Sequence, residues 1–94
     1  MAETGATAIT MYTTTWCGDC RRLKRELEAA GVAFREIDIE GNPSAADYVV
    51  RLNGGNQTVP TVVFADGAVM AEPSGRQVMA HLYRLDSTSV LARP

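Results

Sequence analysis

Ninety-four residues, 46% hydrophobic and 21% charged, read as one soluble globular domain over 1–94 with a modest core. A net charge of −2 removes the electrostatic case for nucleic acid or an anionic membrane as partner. No apolar run approaches the roughly 18 residues of a membrane span, and MAETGATAIT has neither a basic n-region nor an apolar h-region, so no signal peptide is expected and the cytoplasm is the simplest compartment.

Ala8 to Thr13 reads as a first strand, and Thr13-Thr14-Thr15-Trp16 leads out of it. Cys17-Gly18-Asp19-Cys20 follows and contains both cysteines of the chain. From Gly18 to Ala30, the residues Cys20, Leu23, Leu27 and Ala30 recur at helical spacing, and Gly31 stands where a left-handed C-terminal residue is expected. Val32–Ile39 alternates in part through Phe34, Ile37 and Ile39, as a second strand would. Asn42-Pro43 pairs an N-cap with a proline at the first helical position. That helix is expected to run to about Leu52, to bury some of Ala46, Val49, Val50 and Leu52, and to stop at Asn53-Gly54-Gly55-Asn56.

Thr61–Phe64 and Ala68–Met70 flank Asp66-Gly67, a strong hairpin signal. Ser74-Gly75-Arg76-Gln77 matches a capping box and opens a last helix, with Val78, Met79, Leu82 and Leu85 as its buried face. Residues 86–94 have no clear period and are expected to fray. The order βαβαββα is an α/β arrangement, the thioredoxin fold in short form: a four-stranded mixed sheet flanked by three helices.

Two thiols at Cys-x-x-Cys spacing, lifted to the start of a helix, form a redox pair. Unpaired N–H groups and the positive end of the dipole favour the thiolate there, and the thiolate is the form that attacks disulfides. Cys17 comes first and is expected to be the nucleophile; Cys20 lies a turn further in. With both cysteines in one motif, a structural disulfide scaffold is not expected. Arg21, Arg22, Lys24 and Arg25 crowd the early part of this helix while Glu26 and Glu28 come later, against the dipole preference. Two readings stay open: positive potential supplied to Cys17, or a solvated face with Arg22–Glu26 and Lys24–Glu28 pairs. Asp19 opposes the thiolate, or serves only to stabilise the helix start. Trp16 is expected at the rim of the site, Tyr12 and the methionines Met11, Met70 and Met79 in the core, and His81 at the surface, away from catalysis.

Tyr12–Cys20, Thr58-Val59-Pro60 and the hairpin at Asp66-Gly67 together resemble a glutaredoxin, over Ile9 to about Leu85. The resemblance implies a cis bond at Pro60 and backbone groups of Val59 offered to an incoming thiol. It also implies catalysis by Cys17 and Cys20, and a substrate groove from Thr15, Trp16, Asp19, Thr58, Val59 and Pro60. No metal and no tightly bound cofactor are implied. Glutathione-using glutaredoxins usually carry a basic residue at the position of Thr14, a glycine pair at Met70-Ala71 and an aspartate at Ser74. They also usually carry Pro-Tyr where this chain has Gly18-Asp19. Several of the groups expected to hold the charged ends of glutathione are therefore missing.

The entry Tyr12-Thr13-Thr14, Trp16-Cys17-Gly18 and Cys20, the run Asn53-Gly54-Gly55-Asn56 with Thr58 to Val62, Phe64 to Gly67, and Pro73-Ser74 is similar to actinobacterial mycoredoxins. That resemblance implies mycothiol as thiol co-substrate, an acetylated cysteine on a sugar–inositol pair without glutathione's free amine and carboxylates. The implied partners are mycothiol, mycothiolated proteins and, indirectly, the mycothiol disulfide reductase system, with the chain a monomer. Two other readings are carried. One is a redoxin reduced by thioredoxin reductase that feeds ribonucleotide reductase, although Gly18-Asp19 does not match its usual motif. The other is a glutaredoxin holding an iron–sulfur cluster between two subunits. A structural zinc site is disfavoured, since the chain has one histidine and two cysteines against the four ligands zinc wants.

Overall fold

The computed structural model describes residues 9–91, with side chains to residue 85. The elements are β1 (Ile9–Thr13), α1 (Gly18–Ala29), β2 (Phe34–Asp38), α2 (Pro43–Leu52), β3 (Thr61–Phe64), β4 (Val69–Ala71) and α3 (Gly75–Leu91). The sheet order is β2-β1-β3-β4, with β1 parallel to β2 and antiparallel to β3, and β3 antiparallel to β4. This is the βαβαββα thioredoxin-like topology that the residue pattern predicts.

The pleat sorts the side chains of the central strands into two cores. On one face Ile9, Met11, Val62 and Phe64 pack with Leu23 and Leu27 of α1 and Val78 of α3. On the other, Tyr12 packs with Ile39 and with Val49 of α2. Met11, Leu27, Val49, Val62 and Val78 are fully buried, so both layers close tightly on β1 and β3. Met79 does not join them: Val78 and Leu82 occupy the inward stripe of α3, and Met79, one residue round the helix, is exposed.

Element ends differ from the pattern-based expectation for local reasons. Gly31, at φ +75°, donates to the Glu28 carbonyl at 3.0 Å and Val32 donates to Leu27 at 2.9 Å. That Schellman closure uses Val32, so β2 starts at Phe34 rather than Val32. Ala68 is likewise taken by its turn, donating to Asp66 Oδ1 at 3.0 Å, so β4 starts one residue later. The last helix passes Leu85 and continues to Leu91, so residues 86–91 are helical rather than a tail; residues 92–94 of that expectation lie outside the described residues.

The capping box forms at Ser74: Gln77 N–H donates to Ser74 Oγ at 3.1 Å, and Ser74 N–H to Gln77 Oε1 at 2.8 Å. Gly75 then passes directly under α1, its N–H donating to Glu26 Oε1 at 2.9 Å. A Cβ at Gly75 would stand 2.9 Å from Glu26 Cβ and 2.6 Å from its Oε1. Gly75→Ala is therefore expected to push α1 and α3 apart, at a cost of about 1–3 kcal/mol by the usual scale of overpacking. Thermal unfolding should show a midpoint lower by about 4 °C or more; an unmoved midpoint would show that the two helices separate freely.

Candidate active site

Strand register brings the site together. Cys17 is the N-cap of α1, immediately after the turn that leaves β1. Tyr12 pairs with Thr61, so the exit from β1 lies beside the entry to β3, where Val59-Pro60 is a cis peptide. Cys17 Sγ sits 3.8 Å from the Val59 carbonyl oxygen as a result. Thr13 pairs with Asp38 in the parallel ladder, which carries Glu40 to the segment just before Cys17. Thr61 pairs with Ala71, and one residue further out Glu72 N–H donates to the Pro60 carbonyl at 2.7 Å.

The two thiols are not equivalent. The N–H of Cys20 donates to Cys17 Sγ at 3.1 Å, an orphan helix donor that a thiolate accepts as a charge-assisted bond. Cys17 is 8% exposed and borders an open groove of about 520 Å³, whereas Cys20 is 1% exposed and lies beneath it. Burial first, and then a side-chain hydrogen bond with Cys17, push the Cys20 thiol up to about 12. Cys20 is thus a protonated donor at neutral pH, and Cys17 is the sulfur a substrate can reach.

The groove is walled by Trp16, Gly18 and Asp19 on the α1 side, by Gln57, Thr58 and Val59 on the other, and by Glu72 at the end of β4. Among the described residues its lining contains two carboxylates and no cationic side chain. The basic residues of α1 lie outside that lining. Arg22 pairs with Asp19 at 3.0 Å, Arg21 donates to the Thr15 carbonyl at 2.9 Å, and Lys24 crosses to Glu36 at 3.1 Å. Neither Arg22–Glu26 nor Lys24–Glu28 forms an ion pair; β2 offers Lys24 a nearer carboxylate, and Glu26 is turned to Gly75.

The sequence pattern of the Glutaredoxin family matches residues 9–70, from β1 through the groove to β4. The chain is a glutaredoxin. Among its relatives, a Mycobacterium tuberculosis protein named "Putative glutaredoxin" is 53% identical over 78 residues, covering 83% of this chain and 93% of that one. Mycoredoxin 1 of Corynebacterium glutamicum is 35% identical over 77 residues, covering 82% and 95%. The crystal structure of a glutaredoxin from Archaeoglobus fulgidus superposes with a TM-score of 0.65 at 25% identity, covering 79% of this chain and 84% of that one. With a close Cys17–Cys20 pair in this fold, this glutaredoxin is a thiol–disulfide oxidoreductase.

Of the residues expected to bind substrate in this glutaredoxin, Trp16, Asp19, Thr58 and Val59 line the groove. Thr15 does not, because its Oγ1 is turned away to donate to Glu40 Oε1 at 2.9 Å. Pro60 is buried beneath the groove, setting the direction of Val59 instead of presenting a surface. Gln57 and Glu72 were not anticipated. A hairpin centred on Asp66-Gly67 pairs Thr61 with Ala71, so counting one residue outward would have set Glu72 beside Pro60. Tyr12 packs on Tyr48 with ring centroids 5.6 Å apart. His81 bonds Asp66 at 3.1 Å in the β3–β4 turn, at the end of β3 remote from Pro60. Among the described residues no group of three His, Cys, Asp or Glu side chains is placed to hold a metal, and no helix is long and apolar enough to cross a membrane.

Proposed function

We propose that this glutaredoxin reduces protein–mycothiol mixed disulfides, with Cys17 as nucleophile and with Trp16, Asp19, Thr58 and Val59 forming the binding surface. The observation that carries the reading is the groove lining, which among the described residues holds Asp19, paired with Arg22 at 3.0 Å, and Glu72, and no cationic side chain. Glutathione presents two carboxylates, for which this lining offers no cationic partner. Mycothiol presents neutral hydroxyl and amide groups, for which the Asp19 and Glu72 carboxylates are hydrogen-bond acceptors. The likeness to Mycoredoxin 1 supports the same choice.

In the reaction, the Cys17 thiolate attacks the mycothiol sulfur of the mixed disulfide. A Cys17–mycothiol disulfide forms, the protein–mycothiol S–S bond breaks, and the protein thiolate leaves and takes up a proton. A second mycothiol thiolate then attacks the mycothiol sulfur on Cys17, giving mycothiol disulfide and free Cys17. Alternatively Cys20 loses its proton and attacks Cys17, releasing mycothiol and leaving a Cys17–Cys20 disulfide. Each route moves two electrons from thiols to the target protein.

The test is NADPH oxidation with a mixed-disulfide substrate under three reductant systems: mycothiol with its disulfide reductase, glutathione with glutathione reductase, and thioredoxin reductase alone. Turnover is expected only with mycothiol. Turnover only with thioredoxin reductase would move the chain to the redoxins that this enzyme reduces directly.

A further inference from the structure

Trp16 is 67% exposed, yet its ring is not loose. One carboxylate, Glu40, gathers three donors from the two residues before Cys17. Its Oε2 accepts from Trp16 Nε1 at 2.7 Å, and its Oε1 accepts from Thr15 Oγ1 at 2.9 Å and Thr15 N–H at 3.4 Å. The carboxylate is itself placed by the fold. Glu40 lies two residues past the end of β2, Ile39 N–H bonds the Thr13 carbonyl at 2.9 Å, and Glu40 N–H donates to Asp38 Oδ1 at 2.8 Å. Arg21 holds the same segment from the other side through the Thr15 carbonyl.

From this geometry we infer that Glu40 is a positioning residue for substrate recognition, holding the Trp16 indole as one wall of the groove beside Cys17. The inference rests on reading the groove as the seat of the mixed disulfide. An exposed indole with no anchor explores several rotamers, and ordering it on substrate arrival costs free energy. Glu40 meets that cost in the free protein, leaving a fixed aromatic surface for the apolar stem next to the substrate sulfur. Hydrogen bonds from Thr15 and Trp16 hold the Glu40 carboxyl below the usual carboxylate range, so the anchor stays ionised and closed at neutral pH. Glu40 does not itself line the groove and makes no hydrogen bond to Cys17; it reaches the groove through Trp16, so its effect falls on binding and not on sulfur exchange.

Trp16 is the single tryptophan of the chain, so its emission reports the anchor with no background. The experiment compares wild type, Glu40→Ala, Glu40→Gln, Trp16→Phe and the Trp16→Phe/Glu40→Ala double variant. The substrates are one short peptide disulfide-bonded at its cysteine to mycothiol, and the same peptide bonded to glutathione. Glu40→Ala is expected to lower Trp16 fluorescence anisotropy. It should also raise KM about threefold to tenfold with kcat within about twofold, the signature of lost uniform binding. Glu40→Gln, which keeps one acceptor oxygen, should fall between. In the Trp16→Phe background, Glu40→Ala should change KM no further. Unchanged anisotropy, an unchanged KM, or additive effects in the double variant would each overturn the inference. Which of the two substrates the wild type prefers tests the mycothiol reading separately, since the Glu40→Ala ratio is taken on whichever substrate is turned over.

Discussion

Cys17→Ser should take mixed-disulfide reduction to the uncatalysed background, while Cys20→Ser should keep a rate of the same order as wild type. The asymmetry follows from the geometry of the pair. Cys17 borders the groove and receives the Cys20 N–H at 3.1 Å, a backbone donor that survives any side-chain change at position 20. A serine hydroxyl at position 17 stays protonated at neutral pH and does not attack sulfur, so nothing replaces the lost thiolate. At position 20, a serine hydroxyl can still donate to Cys17 as the buried Cys20 thiol does. The mycothiolated Cys17 is then resolved by a second mycothiol from solvent. The measurement is steady-state NADPH oxidation at saturating mycothiol with each variant. Equal loss in both variants would make the Cys17–Cys20 disulfide an obligatory intermediate and Cys20 the resolving thiol in every turnover.

The architecture could be read from sequence wherever local chemistry decides it. Asn42 accepts from Ala45 N–H with Pro43 at the first helical position, Ser74 and Gln77 exchange their bonds, and Gly31 and Gly54 close α1 and α2 in left-handed conformations. Each is a contact between near neighbours in the chain, and each was visible as a residue type at a fixed offset. The thiols and the Thr58-Val59-Pro60 segment were visible for a different reason, as family motifs. What escaped depends on strand register. Glu40, Gln57 and Glu72 reach the site because β2, β3 and β4 pair with their neighbours in one particular alignment, and no local pattern announces a surface carboxylate as part of a groove. The basic residues on α1 also have partners other than those the sequence suggests. Sequence spacing suggests i, i+4 pairs, whereas Arg22 pairs one turn back with Asp19, Arg21 bonds the preceding turn, and Lys24 alone reaches across to a carboxylate on β2.

The burial of Cys20 has an alkaline consequence that separates the two thiols chemically. With its thiol pushed from about 9 to about 12, Cys20 holds roughly a thousandth of the thiolate of an ordinary cysteine near pH 8. Iodoacetamide at that pH should alkylate Cys17 of the reduced, folded protein and leave Cys20 intact, with Cys20 reacting only in denaturant; mass spectrometry of the digested protein reads both sites. Double alkylation at one rate would place Cys20 in contact with solvent. The same displacement sets the pH dependence of stability. A thiol whose pKa is raised by folding keeps its proton more tightly in the folded state than in the unfolded one. Its contribution to stability is fully present below about pH 9 and is lost as pH rises through about 12. Urea unfolding of the reduced protein should therefore weaken between these limits more steeply in wild type than in Cys20→Ser. Tyr12, also raised by burial, bends both curves alike and cancels in the difference. Parallel curves would mean that Cys20 ionises as readily folded as unfolded, and the attacking and waiting sulfurs would then be set apart by access to the groove and not by protonation.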